Sequence, residues 1–184
     1  MNNEMALLLG VGIMIIVGGW ALARSFRVGI TRGQAEWPGY HDLFVSYAAK
    51  YRVPASLLEA IALWEHRGVL RPRDVATEKN GTRSIGIMQI NTGNLPWIAR
   101  TLRFTEADLY VPHRNIETGA ALLRSMVQEF GFPSAFTLTM EQRDKLIQAW
   151  SLGVPAVKRG ARNPDYLAGV LWYLKRVEPV IWTT

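Results

Sequence analysis

Nineteen consecutive positions near the start of the chain, residues 5–23 (MALLLGVGIMIIVGGWALA), carry no charge at all. As a helix rising about 1.5 Å per residue, such a run covers roughly 28 Å, close to the thickness of a bilayer's hydrocarbon core. It predicts a membrane-inserted helix rather than a helix buried in a globular core. Trp20 then falls near an interface, where aromatic rings concentrate. Two uses of that helix stay open. Ala21-Leu22-Ala23 has the small-residue form of a signal-peptide cleavage site, but residues 1–4 lack a positive region and the run is long. A permanent anchor fits the length, and Gly10, Gly12, Gly18 and Gly19 lower its hydrophobicity and allow close helix packing. Arg24, Arg27 and Arg32 follow, and the positive-inside rule then favours keeping what comes next in the cytoplasm.

Residues 25–39 show no sustained period and read as a linker. The chain therefore divides into a transmembrane segment (1–24), a linker (25–39) and one globular domain (40–184), long enough to bury a core without covalent staples. With no cysteine in the sequence, disulfides and thiolate chemistry are excluded. Beyond residue 23 stand 21 basic and 14 acidic residues, a net charge of +7 that suits a polyanionic partner such as an acidic glycan or an anionic envelope. The basic residues are scattered, so nucleic acid is not expected as the main partner. His41, His66 and His113 lack metal-ligand spacing, and no metal or cofactor is expected.

Helical periods dominate from Tyr40 onward. The pattern predicts helices over 41–51, 54–65, 116–130, 144–152 and 164–175, with Asn115 capping the third and Ile116, Ala120, Leu123, Val127 and Phe130 on its inner face. Residues 71–83 read as a loop or small strand region, and 91–104 as a turn leading into a short helix. The domain is expected to be mainly helical, all-α in class.

Glu65 is the residue that suggests chemistry. Leu58, Ala62 and Glu65 share one helical stripe beside Leu57, Ile61 and Trp64, so the carboxyl continues an apolar surface. Gly68 follows as the expected C-cap, which puts Glu65 in the last turn, where the helix dipole repels negative charge. Desolvation and dipole both raise a carboxyl pKa, and an acid still protonated near neutral pH can serve a leaving group. Further on, Ser84-Ile85-Gly86-Ile87-Met88-Gln89-Ile90-Asn91 is an apolar segment with polar interruptions. Gly86 would let backbone approach a ligand closely, and Gln89 and Asn91 could read amide and hydroxyl groups of a sugar.

Taken together, four blocks resemble the lytic transglycosylase (SLT) family of the lysozyme-like superfamily. They are Glu65-His66; Gly86-Ile87-Met88-Gln89-Ile90-Asn91; Asp108-Leu109 with Pro112, Asn115-Ile116, Gly119 and Leu122-Leu123; and Ala149-Trp150-Ser151-Leu152-Gly153. They stand in family order over 40–177, the first three closely matched and the fourth degenerate. The resemblance implies a lysozyme-like fold and cleavage of bacterial peptidoglycan strands between N-acetylmuramic acid and N-acetylglucosamine. Glu65 matches the family's catalytic acid, which gives a 1,6-anhydro-muramyl product without water or cofactor. Gln89 and Asn91 match cleft-lining positions, and Ser84 is expected either to contact the N-acetyl group or to serve only as a turn residue. Trp150 replaces a Tyr whose hydroxyl supports the Glu in the family, and an indole donates but cannot accept. Ser151 replaces an Asn, and His66 replaces a Ser; a histidine there is expected at the surface, with tuning of Glu65 or contact with sugar as the alternatives. Tyr166, Trp172 and Tyr173 are expected mostly in the core, with stacking of one or two of them on the glycan as the alternative. A hydrolytic lysozyme needs a second carboxylate, and Ser84 stands where such enzymes carry an Asp; hydrolysis would require Asp74 or Glu78 to reach in from the loop.

Small single-domain members with an uncleaved apolar N-terminus suggest a bacteriophage origin. The expected partners are glycan strands, a membrane through residues 5–23, and other virion proteins. Two settings fit: an endolysin released from its anchor at lysis, or a virion protein opening the wall during genome entry. The arginines after the anchor favour the second. The degenerate fourth block also admits a structural or ejection component with little activity.

Overall fold

The structure is a computed structural model that describes residues 39–177. The membrane segment expected over 5–23 and nearly all of the linker lie outside the described residues. Among the described residues no helix is long and apolar enough to cross a membrane.

Helix α1 (His41–Tyr51) buries Phe44 and Ala48, one turn apart, and Arg52 ends it in a left-handed conformation. Helix α2 (Ala55–Glu65) is apolar on nearly every side: Leu57, Leu58, Ala60, Ile61, Ala62 and Leu63 are all buried. A helix of that composition is stable only when surrounded, and α2 forms the centre of the core. Its end departs from the expected glycine cap. His66 is the C-cap, Arg67 takes the left-handed position (φ 53°), and Gly68 N–H closes the turn on Leu63 O at 2.8 Å. Arg67 N–H bonds to Trp64 O at 3.2 Å, which completes a Schellman arrangement with Gly68 one residue later than expected.

Three very short strands follow, β1 (Val75–Thr77), β2 (Arg83–Ile85) and β3 (Ile90–Asn91), in an antiparallel sheet of that order. Ser84 pairs with Ala76 on one side and Asn91 on the other. The β1–β2 turn is closed by Glu78 N–H to Thr82 O (2.8 Å) and by the Asn80 carbonyl, which accepts from Thr82 N–H (3.0 Å) and its hydroxyl (2.7 Å).

A 3-10 turn (Thr92–Asn94) leads into α3 (Leu95–Leu102), and a second (Glu106–Tyr110), capped by Thr105 and Asp108, leads into α4 (Pro112–Phe130). The sequence reading placed Asn115 as the cap of α4. Instead α4 starts four residues earlier, with Pro112 in its first turn, where a missing N–H costs nothing. That frees the Asn115 side chain for another use, described below. Helix α5 (Met140–Leu152) also starts earlier than expected, because Thr139 and Gln142 form a reciprocal capping box. The short α6 (Val154–Lys158) and the last helix, α7 (Pro164–Val177), complete the described chain. Asn163 Oδ1 accepts from Tyr166 N–H (3.1 Å) at the start of α7.

Helix α7 packs closely along α2. A Cβ at Gly169 would overlap the Trp64 ring, so the glycine sets the separation of the two helices. Trp64 and Tyr166 meet edge to face with centroids 6.2 Å apart, which fixes the first turn of α7 against the last turn of α2.

Candidate active site

Glu65 is the last residue of α2 and lines a cleft of about 540 Å³. Its Oε1 accepts a hydrogen bond from the Tyr166 hydroxyl at 2.6 Å. Burial pushes its carboxyl up from 4.5 to about 7; the Tyr166 bond favours the charged form and pulls the other way, and the negative charge of Glu78 adds to the rise. Burial, reinforced by Glu65, also raises the Tyr166 hydroxyl well above 10, so it remains a donor throughout the neutral range.

All five residues singled out from the sequence, Glu65, Ser84, Gln89, Asn91 and Trp150, border this one cleft. Their polar atoms are differently committed. Ser84, buried in β2, donates its hydroxyl to Glu78 Oε1 at 2.7 Å. Gln89 stands at φ 45° and donates from Nε2 to Gly86 O (3.0 Å) and Asp74 O (3.3 Å), which leaves its carbonyl oxygen to a ligand. Asn91 spends both ends on local structure: Oδ1 accepts from Gly93 N–H (2.8 Å) and Nδ2 donates to Thr82 Oγ1 (2.9 Å). Trp150, half-buried on α5, presents part of its indole.

Three readings from the sequence require correction, the first being Trp172, which was expected mostly in the core and is 51 % exposed. His66 is not a surface residue: it is 5 % exposed, and its Nε2 donates toward Ile87 O (3.0 Å) and Gly86 O (3.2 Å). It thereby ties the end of the Glu65 helix to the Gly86 loop. Gly86 does not open space for a ligand. At φ 75° it makes room for protein, since a Cβ there would overlap Asn115 Nδ2 and lie 2.6 Å from Leu109 O. Asn115, fully buried, accepts from Met88 N–H (2.7 Å) and donates to Ile85 O and Leu109 O (both 2.8 Å). One amide thus satisfies two backbone groups of the segment that carries Gln89, Ile85 O and Met88 N–H, and ties that segment to Leu109 O in the second 3-10 turn. Tyr166, read as mostly core, is buried as expected, yet its hydroxyl emerges in the cleft at the acid. The hydroxyl that Trp150 cannot supply from α5 arrives from α7.

The two loop carboxylates part company. Asp74 Oδ2 lies 3.6 Å from His66 Nδ1 and does not border the cleft, whereas Glu78 does. That distance is too long for a hydrogen bond, and His66 Nδ1 has no partner among the described residues. No cluster of three potential metal ligands occurs among the described residues.

A central apolar helix ending in a buried acid, a small sheet on one flank and a polar cleft between them define a lysozyme-like architecture. The chain belongs to the family of the Transglycosylase SLT domain, whose model matches residues 42–164. Among solved structures it is similar to an inactive mutant of the lytic transglycosylase Slt from Pseudomonas aeruginosa, with 19 % identity and a TM-score of 0.52. That match covers 77 % of this chain and 22 % of the Slt chain, so this protein spans about a fifth of the larger one and shares its fold. No curated protein matches the chain.

Proposed function

We propose that the protein is a peptidoglycan lytic transglycosylase acting through Glu65. The observation that carries this reading is a carboxyl group pushed up to about 7, hydrogen-bonded to a tyrosine, and opening on a polar cleft. In the proposed reaction Glu65 gives its proton to the glycosidic oxygen as the bond from muramyl C1 breaks. The carboxylate so formed is steadied by the Tyr166 hydroxyl. It then takes the proton of the muramyl C6 hydroxyl as that oxygen bonds to C1. The acid is regenerated, a 1,6-anhydro ring closes, and no water is consumed. One carboxyl group performs both transfers, which suits a pKa near the working pH. Gln89, Trp150, Asn91 and Ser84 would border the bound strand, Gln89 through its carbonyl and Trp150 through its ring face. Because Asn91 and Ser84 are committed internally, their role is to shape the wall.

Two features support a setting at the cell envelope. The uncharged run at residues 5–23 would hold the domain at a membrane, and the arginines behind it fit a phage virion protein that reaches the wall during entry. A structural component without activity was suggested by Trp150 and Ser151 alone. The Tyr166 bond removes that motive, since the acid has its hydroxyl partner.

Purified full-length protein incubated with sacculi tests the reading. Soluble muropeptides with muramyl ends lighter by one water than hydrolysed ends are the expected product. Sacculi that release none would contradict it.

A further inference from the structure

Glu78 has no part in a single-carboxylate mechanism, yet it faces the same cleft as Glu65. It opens the β1–β2 turn, where its backbone is fixed by Thr82 O and by Gly81 N–H, which donates to Glu78 O at 3.0 Å. Its side chain is held as well. The buried Ser84 donates to Oε1 at 2.7 Å from the middle strand of the sheet, so one carboxylate oxygen is anchored and the other is left to accept from solvent. An exposed glutamate on a hairpin is ordinarily free to rotate; here a donor on a rigid strand holds it toward the cleft. The two carboxyls differ in the way that separates an acid from a base: Glu65 is half-buried with its carboxyl desolvated, and Glu78 is exposed.

We propose that Glu78, positioned by Ser84, recruits a water that competes with the muramyl C6 hydroxyl, so that the protein also releases hydrolysed ends. This rests on the reading of Glu65 as the acid. Glu65 gives its proton to the glycosidic oxygen as the C1–O bond breaks, the water oxygen bonds to C1, and the proton shed by that water passes to the Glu78 carboxylate. Solvent then carries the proton from Glu78 and returns one to Glu65. Strand and water are consumed, and two ends are formed, one of them a reducing muramyl end. On the competing path the C6 hydroxyl attacks and its proton goes to Glu65. The ratio of the two products therefore reports on Glu78.

Full-length wild type, Glu78→Gln, Ser84→Ala and Ser84→Thr are each incubated with sacculi, and the soluble products are reduced with borohydride and weighed by mass spectrometry. Only reducing ends gain hydrogen. Wild type is expected to release both kinds of end. In Glu78→Gln the ratio of reducing to anhydro ends falls by about 100-fold, the low end of what a positioned base contributes. Ser84→Ala lowers it less, and Ser84→Thr, which keeps the hydroxyl, restores it. Wild type releasing anhydro ends alone, or Glu78→Gln leaving the ratio unchanged, overturns the role of Glu78 while the transglycosylase reading stands. Wild type that releases no soluble ends overturns both.

Discussion

Replacing Glu65 by glutamine is expected to lower the rate of muropeptide release by about 10³-fold, the middle of the span that positioned acid–base groups contribute, and above its low end because one side chain makes both transfers. Glutamine keeps the shape and can still accept from the Tyr166 hydroxyl, so the loss should not come from misfolding. The same variant should be more stable than wild type, and increasingly so as pH rises. In the fold the Glu65 carboxyl holds its proton to about pH 7; the ordinary value is 4.5. A group raised in this way contributes its stability in full below the unfolded value and loses it as pH climbs through the folded one. The loss from wild type reaches about 3 kcal/mol above pH 7, and glutamine, which does not titrate, escapes it. Urea unfolding should therefore show Glu65→Gln gaining about 3 kcal/mol more over wild type at pH 8 than at pH 4. Equal differences at both pH values would mean that the carboxyl is not buried in its neutral form.

The second large effect concerns a residue that never touches the cleft. Asn115→Ala removes three hydrogen bonds at a site with no access to water, leaving Met88 N–H and the carbonyls of Ile85 and Leu109 without partners. Unsatisfied buried groups cost about 1–3 kcal/mol each, and the loss should total about 4 kcal/mol in the unfolding free energy obtained from urea denaturation. Because Met88 adjoins Gln89, activity should fall together with stability. A loss below about 1 kcal/mol would show that the loop is held by its apolar side chains, Ile85, Ile87 and Met88, rather than by the amide.

How far these features were legible in the sequence depends on the range of the interaction that fixes each. Glu65 was legible because its apolar neighbours lie within two helical turns. The helices over 41–51 and 164–175 were legible for the same reason, the last extending two residues further to Val177, and Asn163-Pro164 marked its start. The role of Asn115 was misread because a polar residue before an apolar stripe looks the same whether it caps the helix or sits one turn inside it. Pro112, favourable at a first turn, was the available signal, and Thr139 with Gln142 was the equivalent one for α5. Tyr166 could not be assigned from local pattern. It stands 101 residues from Glu65, and where its hydroxyl points depends on how closely α7 approaches α2, which Gly169 sets. His66 is covered by the Gly86 loop, again a long-range fact. Nothing in the sequence favours Glu78 over Asp74, since strands of two and three residues are too short to show alternation and so to fix where their turn projects.

The account turns on Glu65 holding its proton in the cleft near neutral pH. Titration of its side-chain carboxyl by carbon NMR in the full-length protein, assigned by its absence in Glu65→Gln, measures this directly. The expected midpoint is about pH 7, with the alkaline limb of muropeptide release falling at the same pH. A midpoint near 4.5, with the carboxylate charged throughout the range in which the protein cleaves glycan, would contradict the account.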